Sequence, residues 1–140
     1  MITAIDTNVI SALWDVNAAL SDSAKKVLDT AQSRGRLVIS APVFAELVAA
    51  PGRGESFVNG FVRGTGIVVE WNLEEAVWRL AGRAFQNYAE RRRRQRDPGA
   101  RRILADFIIG AHASHRGYHL LTLDDKLYRA AFPSLALVTI

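Results

Sequence analysis

Four acidic side chains stand in surroundings that an ionised carboxylate does not ordinarily keep. Asp6 ends the short apolar run Ile2 to Ile5. Glu46 lies within Val43-Phe-Ala-Glu-Leu-Val-Ala49, and Asp106 within Ile103-Leu-Ala-Asp-Phe-Ile-Ile109. Asp124 directly follows Leu120-Leu-Thr-Leu123. Most of the fourteen acidic residues need no such comment, because solvent explains them: Glu74 and Glu75 fall in a helix first turn, and Asp22 and Asp29 flank lysines. A carboxylate in apolar surroundings is costly unless something positive meets it. Two like charges a few ångströms apart repel by about 4 kcal/mol at an effective dielectric of about 20. A hard divalent cation removes that cost, and Mg²⁺ is commonly held by one or two carboxylates plus waters. The chemistry open to such a set is metal-assisted hydrolysis, with an acidified water and a stabilised phosphoryl transition state.

For the four acids to meet, the chain must bring them to one place. Ile2 to Ile5 is too short for a core helix and suits a buried strand, followed by a helix over Val9 to Trp14 with capping side chains in Asp6-Thr7-Asn8. Ser21 is the expected cap of a second helix carrying Ala24, Val27, Leu28 and Ala31, ended by Gly35. Leu37 to Ser40 is the next strand, and Pro42 suits the first turn of the helix after it. Residues 51 to 66 hold five of the ten glycines, which predicts loop plus a short helix through Phe57 and Phe61. Ile67 to Glu70 reads as a third strand. Asn72 and Glu75 resemble a capping box opening a long helix, with a stripe of Leu73, Val77, Leu80, Ala81, Ala84 and Tyr88. Asp97-Pro98-Gly99 breaks that pattern. A central helix over about Arg101 to Arg116, a strand at His119 to Thr122, a helix at Asp124 to Phe132 and a strand at Leu135 to Thr139 complete the chain. Strands alternating with helices argue for an α/β fold with a mostly parallel sheet covered on both faces. In that topology Asp6 and Asp124 stand just past two strands, and Glu46 and Asp106 sit early in helices that start from the same sheet edge. Ligands bind at that edge where strand order reverses.

The 140 residues fit one domain spanning 1–140, with 49% hydrophobic and 23% charged residues. Without cysteine there is neither a disulfide framework nor a thiolate zinc site. The N-terminus has no basic leader or apolar h-region, and no segment nears the roughly 20 apolar residues of a membrane helix, so a cytoplasmic location is expected. The net charge of +4 is unevenly placed. Arg91 to Arg94, Arg96, Arg101 and Arg102 crowd one stretch, which marks either a polyanion-binding rim or a solvated helix end. His112 and His115 are three apart on a helix, but ordinary packing and surface roles outweigh a zinc pair that lacks a third ligand. Core or interface packing is likewise the expected role of Trp14, Trp71 and Trp78, ahead of base stacking.

Asp6-Thr-Asn-Val-Ile10 resembles the opening motif of PIN-domain nucleases, in particular VapC-type toxins. The resemblance continues through Ala45-Glu46-Leu47, Ala105-Asp106-Phe-Ile-Ile-Gly-Ala111 and Leu121-Thr-Leu-Asp124, in order and over nearly the whole chain. It implies a three-layer α/β/α sandwich with a five-stranded, mostly parallel sheet, and a Mg²⁺- or Mn²⁺-dependent endoribonuclease. It also implies homodimerisation and neutralisation by a small VapB-like antitoxin. Carried over, Asp6, Glu46, Asp106 and Asp124 form the catalytic and metal-binding set. Asp6 and Asp106 are the first choices as direct ligands, with Glu46 and Asp124 completing a second site, orienting waters or activating the nucleophile. Asn8 and Thr122 organise the set. Arg91, Arg92, Arg93, Arg101 and Arg102 are candidates for RNA or antitoxin binding, and Val9, Leu13 and Trp14 for the apolar surface of that partner. Asp125 competes with Asp124 for the inward place, and Asp124 matches the motif through its distance from Thr122.

Two other classes compete. A haloacid-dehalogenase-type phosphotransferase needs a second Asp where Asn8 stands, and a well-placed lysine that Lys25, Lys26 and Lys126 do not provide. A non-catalytic RNA- or protein-binding module would have no need to keep all four acids.

Overall fold

A computed structural model describes residues 1–96 and 102–139. Five parallel strands form one sheet in the order β3-β2-β1-β4-β5. They are β1 (Thr3–Ile5), β2 (Leu37–Ser40), β3 (Val68–Glu70), β4 (His119–Thr122) and β5 (Leu137–Thr139). The helices between them are α1 (Thr7–Leu13), α2 (Ala18–Arg34), α3 (Ala41–Ala49), α4 (Glu55–Thr65), α5 (Glu75–Gln95), α6 (Leu104–Arg116) and α7 (Asp125–Ala131). This is the three-layer α/β/α arrangement, with every strand pair parallel. Among the described residues no helix is long and apolar enough to cross a membrane.

The three inner strands are buried almost throughout, as helices on both faces of a parallel sheet require. The edge strands β3 and β5 are partly exposed. Tyr128, Phe107, Ile10, Ile39 and Leu120 are among the largest fully buried side chains. Phe85 stacks on Phe107 at 4.9 Å between ring centroids, joining α5 to α6. Gly35 (φ 155°) ends α2 where a Cβ would lie 1.7 Å from the Met1 carbonyl oxygen, so only glycine lets the chain pass there.

Several element starts differ from the sequence expectation. α2 begins three residues before Ser21: Asn17 caps it, accepting from the backbone N–H groups of Ala19 (3.0 Å) and Leu20 (3.2 Å). The Ser21 hydroxyl instead donates to the Leu13 carbonyl at 2.7 Å, tying α2 back to α1. The glycine-rich stretch is mostly helix, because Val58, Phe61 and Val62 bury one face of α4 and outweigh its glycine content. The expected capping box of α5 does not form. Glu74 takes the N-cap position but pairs with His115 and Arg116 of α6, a tertiary contact that overrides local capping. α6 starts at Leu104, three residues after Arg101, since Ile103 is extended as its N-cap. Arg101 itself and the Asp97-Pro98-Gly99 break lie outside the described residues.

Two helical glycines make a test of this packing. A Cβ on Gly110 would fall 2.3 Å from the ring of buried Phe132, whereas one on Gly82 meets nothing within 4 Å. Gly110→Ala is expected to lower stability by about 1–3 kcal/mol through overpacking. Gly82→Ala should raise it by about 0.5–1 kcal/mol, as alanine does in an exposed helix interior. Denaturant unfolding of the two variants gives both signs.

Candidate active site

Strand order reverses between β1 and β4, the two neighbours in the middle of the sheet. A crevice opens there at the carboxyl ends of the strands. Ile5 pairs with Leu121 in the parallel register. The next residue, Asp6, therefore sits beside Thr122, with its backbone N–H donating to the Leu121 carbonyl at 2.9 Å. The Thr122 hydroxyl donates to Asp6 Oδ2 at 2.8 Å and accepts from the Asp124 backbone N–H at 2.9 Å. One threonine thus sets the positions of two acids. Asn8 Oδ1 accepts from the Leu123 N–H at 3.1 Å and pins the turn after β4 against α1.

The other two acids arrive on helices. Glu46 lies on α3, and its Oε1 accepts from the Thr7 hydroxyl at 2.7 Å. Asp106 lies in the first turn of α6. Asp6, Glu46, Asp106 and Asp124 all line one cleft of about 480 Å³, together with Thr7, Asn8 and Arg102. Neither Asp6 nor Asp124 caps the helix it precedes through its side chain, although both occupy N-cap positions. Asp124 pairs with Arg102 at 2.5 Å. Its neighbour Asp125 turns to Arg129, one helical turn on, at 3.1 Å. Asp124, not Asp125, lines the cleft.

The charges feel each other. Asp6 is 4% exposed, and its pKa is raised from 3.8 to about 6. Burial is the main cause, and the Asp106 charge adds to it against the Thr122 hydrogen bond. Asp106 is also raised, by burial first and then by Glu46 and Asp124, with Arg102 opposing. Tyr128 is fully buried, and its burial first, then the charges of Asp6 and Asp106, push its phenol well above the ordinary range. Its oxygen has no well-formed hydrogen bond among the described residues.

Among the described residues, no three acids or histidines stand close enough to make a ready ligand cage. Thr122, Thr7 and Arg102 each hold one acid to its own wall of the cleft. The donor set is nonetheless right for a hard divalent cation: all oxygen, anionic, and carrying repulsion that such an ion would relieve.

Sequence reasoning gave no site role to Thr7 or Tyr128, and gave Arg102 one only in RNA or antitoxin binding. Thr7 and Tyr128 carried no distinguishing signal. Arg102 did: it stands four residues before Asp106, but its place in an arginine run hid it. The rest of that run, Arg91 to Arg94 and Arg96, lies at the last turns and C-cap of α5 and does not line the cleft. His112 and His115 go to separate partners, Glu70 at 2.7 Å and Glu74 at 3.0 Å. Trp71 and Trp78 are exposed rather than core residues. Trp14 packs edge-on against Phe57 and Phe61.

A pH experiment tests the Asp6 environment. The folded state binds the Asp6 proton more tightly than the unfolded chain does, so protonated Asp6 favours folding. Stability should fall as pH rises from about 4 to about 6, by about 3 kcal/mol from this group, for a folded pKa near 6 against 3.8. Asp6→Asn keeps the shape and an acceptor for Thr122, so it should remove this loss and melt above the wild type at pH 7 without added metal. Parallel pH profiles of melting temperature for the two proteins would refute the assigned environment.

The family model of the PIN domain matches residues 3–133. No curated protein matches the chain. Among solved structures, the chain is similar to VapBC2 from Rickettsia felis bound to a promoter DNA fragment, with TM-score 0.70 and 20% identity over 99% of this chain and 98% of that one. VapBC-1 from nontypeable Haemophilus influenzae gives 0.65 and 20%, again over 99% and 98%. FitAcB from Neisseria gonorrhoeae gives 0.63 and 23%, over 98% and 96%. At such identities the likeness is one of fold, and the match over residues 3–133 carries the assignment. This chain belongs to the PIN domain family.

Proposed function

We propose that this chain is a single-domain, Mg²⁺- or Mn²⁺-dependent endoribonuclease of the VapC type, held in check by a small antitoxin. The observation that carries the reading is the convergence of Asp6, Glu46, Asp106 and Asp124, from four separate elements, on one cleft at the reversal of strand order. Neutral packing gives no reason for that convergence, and cation binding does.

Asp6 and Asp106, the two acids with raised pKa, are the residues that would hold the ion. A bound divalent ion supplies a more acidic water and a counter-charge for the phosphoryl group under attack. The protein's own residues do the rest. Thr122 fixes the orientation of Asp6 through its hydroxyl. Glu46 has one oxygen engaged by Thr7, leaving the other to accept the proton of the attacking water. Asp124 orients water at the opposite wall once it is free of Arg102. Arg91, Arg92 and Arg93 at the end of α5 guide RNA from outside the cleft.

The partner reading rests on the solved neighbours, whose names describe VapBC and FitAcB assemblies, one of them bound to a promoter DNA fragment and another to DNA. The surface suited to an antitoxin helix lies at α1, α2 and α4. There, an apolar groove of about 250 Å³ is lined by Leu13, Leu28, Phe61 and Ile67. Val9 takes no part in it, being fully buried, which corrects the sequence expectation for that residue. A homodimer with cytoplasmic RNA as substrate completes the proposal.

Incubating the purified protein with a mixed RNA pool and Mg²⁺, Mn²⁺ or EDTA should give metal-dependent cleavage at defined sites. Asp6→Asn and Asp106→Asn should each lower it at least about 100-fold, the scale of losing a main electrostatic contributor. Replacing Arg91, Arg92 and Arg93 with Gln should weaken RNA binding and flatten its salt dependence without moving the cut site. RNA binding without turnover in any metal would leave a binding module instead of a nuclease.

For the partner, co-expression with the adjacent small open reading frame should relieve growth arrest, and the two proteins should co-purify. Leu13→Glu should weaken that complex at least about tenfold while leaving cleavage intact, since it puts an unpaired charge into an apolar contact. Undiminished complex formation by this variant would move the antitoxin to another surface.

A further inference from the structure

Arg102 stands apart from the arginines with which the sequence groups it. Among the described residues lining the acidic cleft it is the one cation, against Asp6, Asp15, Glu46, Asp106 and Asp124. Its guanidinium donates to Asp124 Oδ2 and also acts electrostatically on Asp106. Its backbone is tethered: the Arg102 N–H donates to the Tyr88 hydroxyl at 2.9 Å, and the Tyr88 ring lies 5.4 Å from that of buried Phe107. The Cα is therefore held at the α5–α6 interface, while the long side chain reaches over to the acids. That side chain is 42% exposed and its Asp124 partner 27%, so the pair is open to water rather than locked in the core.

We propose that Arg102 is a displaceable counter-ion of the acidic cleft, competing electrostatically with the divalent cation and turning away from Asp124 when that cation binds. The inference rests on the metal-dependent reading above. A guanidinium offsets one negative charge among five and cannot ligate, whereas a divalent ion offsets two and binds carboxylate oxygens directly. A partly exposed ion pair is weak and easily exchanged. Released from Asp124, the tethered guanidinium remains near the cleft, and its planar fork matches the two free oxygens of a phosphodiester. The same side chain thus quiets the acids in the empty cleft and becomes available to the substrate only when the ion is in place.

The test is Mn²⁺ affinity without RNA, by calorimetry, for the wild type, Arg102→Gln, Arg102→Lys and Lys26→Gln. Lys26 is exposed on α2 outside the cleft and controls for loss of net charge. Arg102→Gln should bind Mn²⁺ about two- to fivefold more tightly, the scale of losing one weak competing ion pair. Arg102→Lys, which keeps the charge, should stay near the wild type, and Lys26→Gln should match it. In a Mg²⁺ titration of the wild type followed by NMR, the Arg102 Nε–H signal, identified by its absence from Arg102→Gln, should shift with the same midpoint as Mg²⁺ binding measured by calorimetry on the same protein. Normal wild-type affinity with Arg102→Gln no tighter, or an Arg102 signal that ignores Mg²⁺, overturns the counter-ion role alone. Failure of every form to bind Mn²⁺ overturns the metal reading, and the competitor role with it.

Discussion

The constraint on which this structure turns is the crowding of carboxylates at one point of a low-dielectric framework. Asp6 is nearly inaccessible, and both it and Asp106 hold their protons more tightly than a free carboxyl does. A chain that wanted only stability would place neutral or apolar groups there. Each tie around the acids manages that cost. Thr122 feeds a hydrogen bond to Asp6, Thr7 does the same for Glu46, and Arg102 lends a charge to Asp124. The strain that remains is electrostatic, and a cation is its natural remedy.

The framework can carry this cost because the rest of the molecule is conventional. Three inner strands of three or four residues are buried almost throughout, and aromatic packing joins α5 to α6. Short parallel strands bring their carboxyl ends, and the helix starts that follow, to one edge. Side chains at that edge can vary in chemistry without entering the core. The same geometry separates two kinds of basic residue. The arginines closing α5 complement the helix dipole and do not line the cleft, while Arg102, a short way on in sequence, turns into the acids.

A second polar cluster shows how tertiary contacts overrule local signals. Glu70 receives His112 and the Tyr118 hydroxyl, and Glu74 receives His115 and Arg116. These pairs fasten the start of α5 to the end of α6. They account for both histidines of α6 and for the missing cap of α5. Local rules rank a capping box ahead of a distant ion pair, yet here the distant partners win because the helices are already packed side by side.

Taken alone, the sequence determined which segments are strands and helices, the parallel character of the sheet and the four acids that deserve notice. Those features follow from short-range physics: apolar runs of four or five residues, helical periodicity, and charge in apolar company. Helix starts were less legible, since Asn17, Ser21, Glu74 and Ile103 sit where several capping choices cost nearly the same and packing decides among them. The cleft is lined by Asp124, the acid that its distance from Thr122 had favoured over Asp125, but only the tertiary structure decided that Thr7 holds Glu46 and that Arg102 leaves its run to face the acids. Each of these depends on partners far apart in the chain, Thr7 with Glu46 and Arg102 with Asp124, brought together by sheet register and strand order. No local pattern records such a pairing, because the energy that selects it exists only once the fold has closed.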